Sequence, residues 1–294
     1  MTSRNTAFIA CLLIASYPAF AGQIIDHTAA HSHDDLHKIP PAAIEHAKAT
    51  LHVAYGHTSH GSQLISGMSN LDTFMQRRYN TPRGFYAYND GPAAGKLDID
   101  DNFAPGDLGN PNRLAWAQRT REYLQDPANK DVNVVMWSWC GQVDGSESEI
   151  GRYLSLMSQL EDEFPKVVFV YMTGHLNGGG EKGNVNLRNQ QIRDFCKANN
   201  KWLYDFADIE SWDPDARKNY MPLKANDNAD YDSDGDGRRD RNWAKDWQGS
   251  HQRDYDWYPC PAAHSQPLVA NLKAYAAWDM FTRIASQIAG KSGR

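Results

Sequence analysis

Cysteine is scarce in this chain, with four among 294 residues. That scarcity excludes the dense disulfide frameworks that hold small secreted domains together. Long apolar runs are scarcer still: beyond residue 21 none is long and apolar enough to cross a bilayer, which argues against a membrane span. Positive charge is in deficit, 30 Lys and Arg against 36 Asp and Glu, for a formal charge of −6. The deficit argues against nucleic acid and anionic membrane as partners. There is no internal repeat, and no low-complexity tract beyond a histidine-bearing N-terminal arm at His27, His31, His33 and His37. Such a cluster could bind metal, but a mobile arm is the expected reading.

The first 21 residues, MTSRNTAFIACLLIASYPAFA, combine a basic start at Arg4, an apolar run and a small-x-small ending, Ala19-Phe20-Ala21. This is the pattern of a secretory signal cut before Gly22, so a secreted or periplasmic protein is expected. Cys11 leaves with the signal, and Cys140, Cys196 and Cys260 remain where disulfides persist. An odd number leaves at least one free or paired between chains. A Cys140–Cys260 bridge would tie two candidate site loops together; three reduced thiols are the alternative.

Apolar, β-branched or aromatic runs at Leu51–Tyr55, Gly84–Tyr88, Val132–Trp137, Val167–Met172 and Trp202–Phe206 predict strands. Helical spacing predicts helices over Leu64 to Met75, Leu114 to Leu124, Ile150 to Leu160, and from Pro267 toward Gly290. Strands alternating with helices imply a parallel sheet covered on both faces. The ligand site of such a sheet lies beyond the C-terminal ends of its strands, which is where the polar turns His57–Ser62, Ser138–Gln142 and Thr173–Gly180 should gather. Two segments lack periodicity, Asn89–Pro111 and Trp212–Tyr258, and loops this long are usually functional or organised by a metal.

The densest chemistry lies in LHVAYGHTSHGS, Leu51 to Ser62, an apolar strand running into hydroxyls, imidazoles and glycines ahead of an amphipathic helix. A hydroxyl there sits near a helix N-terminus, where backbone N–H groups stabilise developing negative charge. Ser59 is the candidate nucleophile, with Gly61 expected to permit the sharp turn. His264, in CPAAHSQP before the final helix, is the candidate base.

These motifs resemble the SGNH hydrolase superfamily, the GDSL-like serine esterases and lipases. In that resemblance Ser59 of GHTSHGS takes the place of the family's serine, and Gly109 of DLGNPNR that of its oxyanion-hole glycine. The family's third block has an asparagine after a strand, where VVMWSWCGQ has Cys140, Gly141 and Gln142, so Gln142 would supply the side-chain amide. His264 matches the histidine of the fifth block, but Pro261 stands where the orienting acid belongs. Asp256 or Asp254 from the preceding loop would replace it, or a backbone carbonyl would hold the tautomer. The resemblance implies an α/β fold, a flavodoxin-like three-layer sandwich with a central five-stranded parallel sheet and long loop insertions, over a single domain at 22–294. It also implies hydrolysis of an ester in a small molecule, lipid or acylated polysaccharide. His57, His60, His175 and Asn177 would contact the substrate.

A separate signal is Asp232-Ser-Asp234-Gly-Asp236-Gly-Arg238-Arg-Asp240. Carboxylates at alternate positions around a glycine turn suit a seven-coordinate hard cation, with Arg238 giving its backbone carbonyl and Asp240 binding directly or through water. The twelfth position is Trp243 rather than the glutamate of an EF-hand, so a structural calcium loop of dockerin or thrombospondin type is expected, inside an insertion at about 212–258. Two other readings compete with the esterase: a metal-dependent hydrolase with His57, His60, His175 and His264 or an aspartate as zinc ligands, and a non-catalytic, calcium-stabilised module binding glycan through Trp137, Trp139, Trp243, Trp247 and Trp257.

Overall fold

The structure is a computed structural model that describes residues 22–292, so the expected secretory signal lies outside the described residues. Its centre is a parallel sheet of seven strands: β1 (Ile24–Ile25), β2 (His52–Gly56), β3 (Tyr88–Asn89), β4 (Leu97–Asp101), β5 (Val134–Trp137), β6 (Val168–Met172) and β7 (Trp202–Tyr204), in the order β1-β7-β6-β5-β2-β4-β3. The five inner strands, counted among themselves along the chain, run 2-1-3-4-5, the flavodoxin-like order. The sheet is wider than the five strands expected because the two-residue strands β1 and β3 extend its edges.

Strand periodicity divides the core in two. Val53 and Tyr55 of β2, Val134 and Met136 of β5, and Val168 and Val170 of β6 face one side, where they meet α2 (Pro41–Thr50), α3 (Ser62–Tyr79) and α9 (Pro267–Ser292). Ala54, Val135, Trp137, Phe169 and Tyr171 face the other, against α4 (Ala115–Gln125), α5 (Glu147–Glu163) and α6 (Asn184–Ala198). The shorter helices α1 (His33–His37), α7 (Phe206–Ile209) and α8 (Trp243–Ser250) join the α9 side. A separate antiparallel hairpin, β8 (Asp230–Tyr231) with β9 (Arg241–Asn242), carries the acidic loop at its tip. Among the described residues no helix is long and apolar enough to cross a membrane.

Several expectations change. The strand expected at Gly84–Tyr88 is mostly turn, and β2 pairs instead with acid-rich β4, Leu97-Asp-Ile-Asp-Asp101. Leu97 and Ile99 face the core, while Asp98 is bound by His52 at 2.7 Å and Asp101 by His57 at 2.7 Å. Paired carboxylates let an unpromising sequence serve as a strand. The N-terminal arm is packed rather than mobile: His31 is 2 % exposed, His27 bonds Asp208 at 2.5 Å, and His37 stacks on Tyr79. Trp137, Trp139 and Trp243 are buried, so they offer no exposed glycan platform.

Candidate active site

The chain leaves β2 at Gly56 and reaches α3 through a turn containing Ser59. The turn is fixed by the Tyr55 hydroxyl, which donates to the Gly61 carbonyl at 3.0 Å, and by Ser62 Oγ, which donates to the Ser59 carbonyl at 2.7 Å. Gly61 is needed for a different reason from the one expected. Its φ of −63° suits any residue, but a Cβ there would lie 2.4 Å from His57 Cβ and 2.7 Å from Ser138 Cβ. Close packing, not backbone freedom, excludes a side chain.

Ser59 Oγ lies 3.1 Å from His264 Nε2, although 205 positions separate the two residues. His264 has a left-handed backbone, φ 61°, uncommon for a residue with a Cβ. Its loop is held on both sides: Gln63 Nε2 donates to the Ala263 carbonyl at 2.6 Å, and Ser265 N to the Ala262 carbonyl at 3.0 Å. Thus a residue in the first turn of α3 also anchors the loop carrying His264.

Next to this pair is a cluster that the sequence reading did not assemble. Cys140, in the turn that follows β5, has its Sγ 3.8 Å from Ser59 Oγ and 3.0 Å from His60 Nδ1. The other nitrogen of His60, Nε2, bonds Asp227 Oδ2 at 2.9 Å. The His60 ring stacks on His175 at 3.7 Å and on His264 at 4.6 Å. Burial pushes the His60 imidazole below its ordinary pKa, against the Asp227 hydrogen bond that raises it. Burial works to raise the Asp227 carboxyl, yet the His60 hydrogen bond and the neighbouring imidazoles hold it below its ordinary value. The pair therefore rests as neutral imidazole and carboxylate.

The remaining expected residues divide. Gly109 and Gln142 do meet, since a Cβ on Gly109 would lie 2.7 Å from Gln142 Cγ. Gln142 is engaged in bracing, because its Oε1 accepts from Cys140 N at 2.8 Å and its Nε2 donates to Asp107 at 2.5 Å. Both residues line a pocket walled by Trp116, Trp139, Val143 and Ile150. His175 joins the cluster, with Nδ1 2.8 Å from the Leu176 carbonyl. Asn177 is exposed, and its Oδ1 accepts from Gly179 N at 3.0 Å.

Three assignments are corrected. Asp256 accepts from Gln252 N at 2.8 Å and lines a cleft with His33 and His251, and among the described residues no bond joins it to His264. Proximity in sequence does not bring the carboxylates of this loop to His264, because Asp254 lines a cleft beside α3 and Asp256 one beside α1. His57 bonds Asp101 at 2.7 Å and the Thr58 carbonyl at 2.8 Å, so the expected zinc set of His57, His60 and His175 does not form. Cys140 and Cys260 are both free thiols: Cys140 faces His60, whereas Cys260 Sγ accepts from Asn271 Nδ2 at 3.4 Å in the α9 packing, where burial pushes its pKa up to about 12.

In the acidic loop, ligand atoms of Asp232, Asp234 and Asp236 come within 4.8 Å of one another. Asp232 accepts from Gly235 N at 2.7 Å and Gly237 N at 2.9 Å, Asp240 from Ser233 N at 2.9 Å, and Lys224 Nζ lies 3.7 Å from Asp232. The Arg238 N–H donates to Asp236 at 2.7 Å. No protein-family model matches the chain, and no curated protein is significantly similar to it.

Proposed function

We propose that this chain is a serine-nucleophile ester hydrolase of SGNH type, acting outside the cytoplasm, with Ser59 as nucleophile and His264 as base. The observation that carries this reading is the 3.1 Å approach of His264 Nε2 to Ser59 Oγ. Its position adds support: Ser59 follows β2 and Cys140 follows β5, adjacent strands at the point where the strand order reverses, where doubly wound sheets bind ligands.

In the tautomer protonated on Nδ1, His264 Nε2 accepts the Ser59 hydroxyl hydrogen bond. As Oγ attacks the ester carbonyl, that proton passes to Nε2, and the oxyanion is met by the N–H groups of Ser59 and Gly109. Collapse expels the alcohol, which takes the proton from His264, and water repeats the sequence on the acyl-serine. No carboxylate bonds His264 directly among the described residues. A carboxylate oxygen of Asp227 lies within 4.8 Å of a His264 ring nitrogen, and His60 stacks on His264. An acyl group would lie in the Trp139 and Val143 pocket, beside the oxyanion donors.

A fluorophosphonate probe should label Ser59 in the wild type and leave Ser59→Ala untouched, and the same substitution should cut p-nitrophenyl acetate turnover by about 10³-fold or more. Unchanged turnover in Ser59→Ala would exclude the serine mechanism. Calcium in the acidic loop belongs to this proposal as a structural ion, bound through Asp232, Asp234, Asp236, Asp240 and the Arg238 carbonyl.

A further inference from the structure

The hydrolytic scheme leaves His60 without a chemical step, although it is among the most constrained polar side chains at the sheet edge. It is 5 % exposed, its Nδ1 faces Cys140 Sγ and its Nε2 faces Asp227. One ligand atom each from His60, Asp227 and His264 all lie within 4.8 Å of one another. They come from the turn after β2, the approach to the β8–β9 hairpin and the loop before α9, so tertiary structure alone converges them.

We propose that His60, Asp227 and His264 form a site for a divalent transition metal, best suited to Zn²⁺, and that the bound ion silences the hydrolase by taking His264 away from Ser59. The silencing clause rests on the serine reading; the binding clause does not. Two imidazoles and one carboxylate with an open position make a zinc donor set, whereas calcium and magnesium demand oxygen ligands. Zinc holds such atoms at about 2.0–2.2 Å, so the ligands would close in by roughly 1 Å each. The site also has an outer layer. Cys140 Sγ, 3.0 Å from His60 Nδ1, can accept the N–H there and so turn the Nε2 lone pair toward the ion, the role that outer partners play for metal-bound histidines. On binding, the single ring proton of neutral His60 moves from Nε2, where Asp227 accepts it, to Nδ1, where Cys140 Sγ accepts it, so Nε2 is free for the ion and His60 releases no net proton. His264 is the exposed member, and its present partner is the Ser59 hydroxyl.

The test is calorimetric titration of Zn²⁺ into the mature chain, with excess Ca²⁺ keeping the acidic loop occupied. Wild type and Ser59→Ala should bind one ion with similar affinity, and Asp227→Asn and His60→Gln should each lose at least tenfold. Equal affinity in all four proteins would overturn the site. If either variant fails to fold, Co²⁺ added to Ser59→Ala should give the visible absorption of a tetrahedral ion, and its absence would equally overturn the site. Zinc should also abolish wild-type turnover reversibly. Binding without inhibition would overturn the silencing clause alone. A protein that binds zinc but neither labels at Ser59 nor hydrolyses esters without it would refute the serine reading while the site stands.

Discussion

His31 shows how one buried side chain sets a pH limit. It is 2 % exposed, its Nε2 lies 3.1 Å from the Asp213 carbonyl, and burial pushes its pKa down to about 4. The folded value lies below the unfolded value of about 6.5, so as pH falls the unfolded chain takes up the proton first. The stabilising contribution is complete above about pH 6.5 and is lost progressively toward pH 4, by about 3 kcal/mol. Urea unfolding of His31→Gln should show a shallower loss over that window; an unchanged slope would show that other groups govern acid stability. At this scale the site was half legible. Ser59 and His264 stand in short motifs whose neighbours define them, whereas His60, Cys140 and Asp227 acquire roles only from partners far along the chain.

The β8–β9 hairpin is the element on which a metal should act. Its strands are two residues each, too short to hold shape unaided, and its tip places three carboxylates together. Asp227 lies just before β8 and holds His60, so order in the tip bears on the cluster beside Ser59 and His264. Removing Ca²⁺ with a chelator should lower Tm by roughly 5 °C and restoring it should reverse the loss. Asp234→Ala should have the low Tm with or without Ca²⁺, and a chelator-insensitive wild type would eliminate the calcium loop. Elements with clear period, β2, β5, β6, α3, α5 and α9, were legible. Strand β4 was not, because its acids look unfit for a sheet until His52, Tyr123 and His57 bond them, and α6 was hidden because its buried stripe, Val185, Asn189, Ile192 and Cys196, contains an amide and a thiol.

Across the whole molecule, a buried ion pair joins the parts that carry the site. Lys273 on α9 is fully buried; its Nζ donates to Glu210 at 2.6 Å and to Gln63 at 2.5 Å, while Glu210 accepts from Leu176 N at 2.5 Å. Gln63 in turn holds the loop of His264, so α9, α3 and the His175 loop share one network. Burial pushes the Lys273 ammonium below its ordinary pKa, and Glu210 opposes that shift. Lys273→Met should destabilise by about 3–5 kcal/mol, because it strands a buried carboxylate, and adding Glu210→Gln should recover part of the loss. Additive losses in the double variant would mean that the two residues act independently. Local pattern was enough to determine the α/β class, the turn carrying Ser59 and the acidic loop, because each depends on residues within one turn or one strand of each other. Only the tertiary structure decided that Cys140 meets His60 rather than Cys260, that Asp227 rather than Asp256 lies beside His264, and that three histidines share one stack. Side chains from separate loops compete for the same few ångströms at the sheet edge, and chain spacing carries no record of which of them arrive.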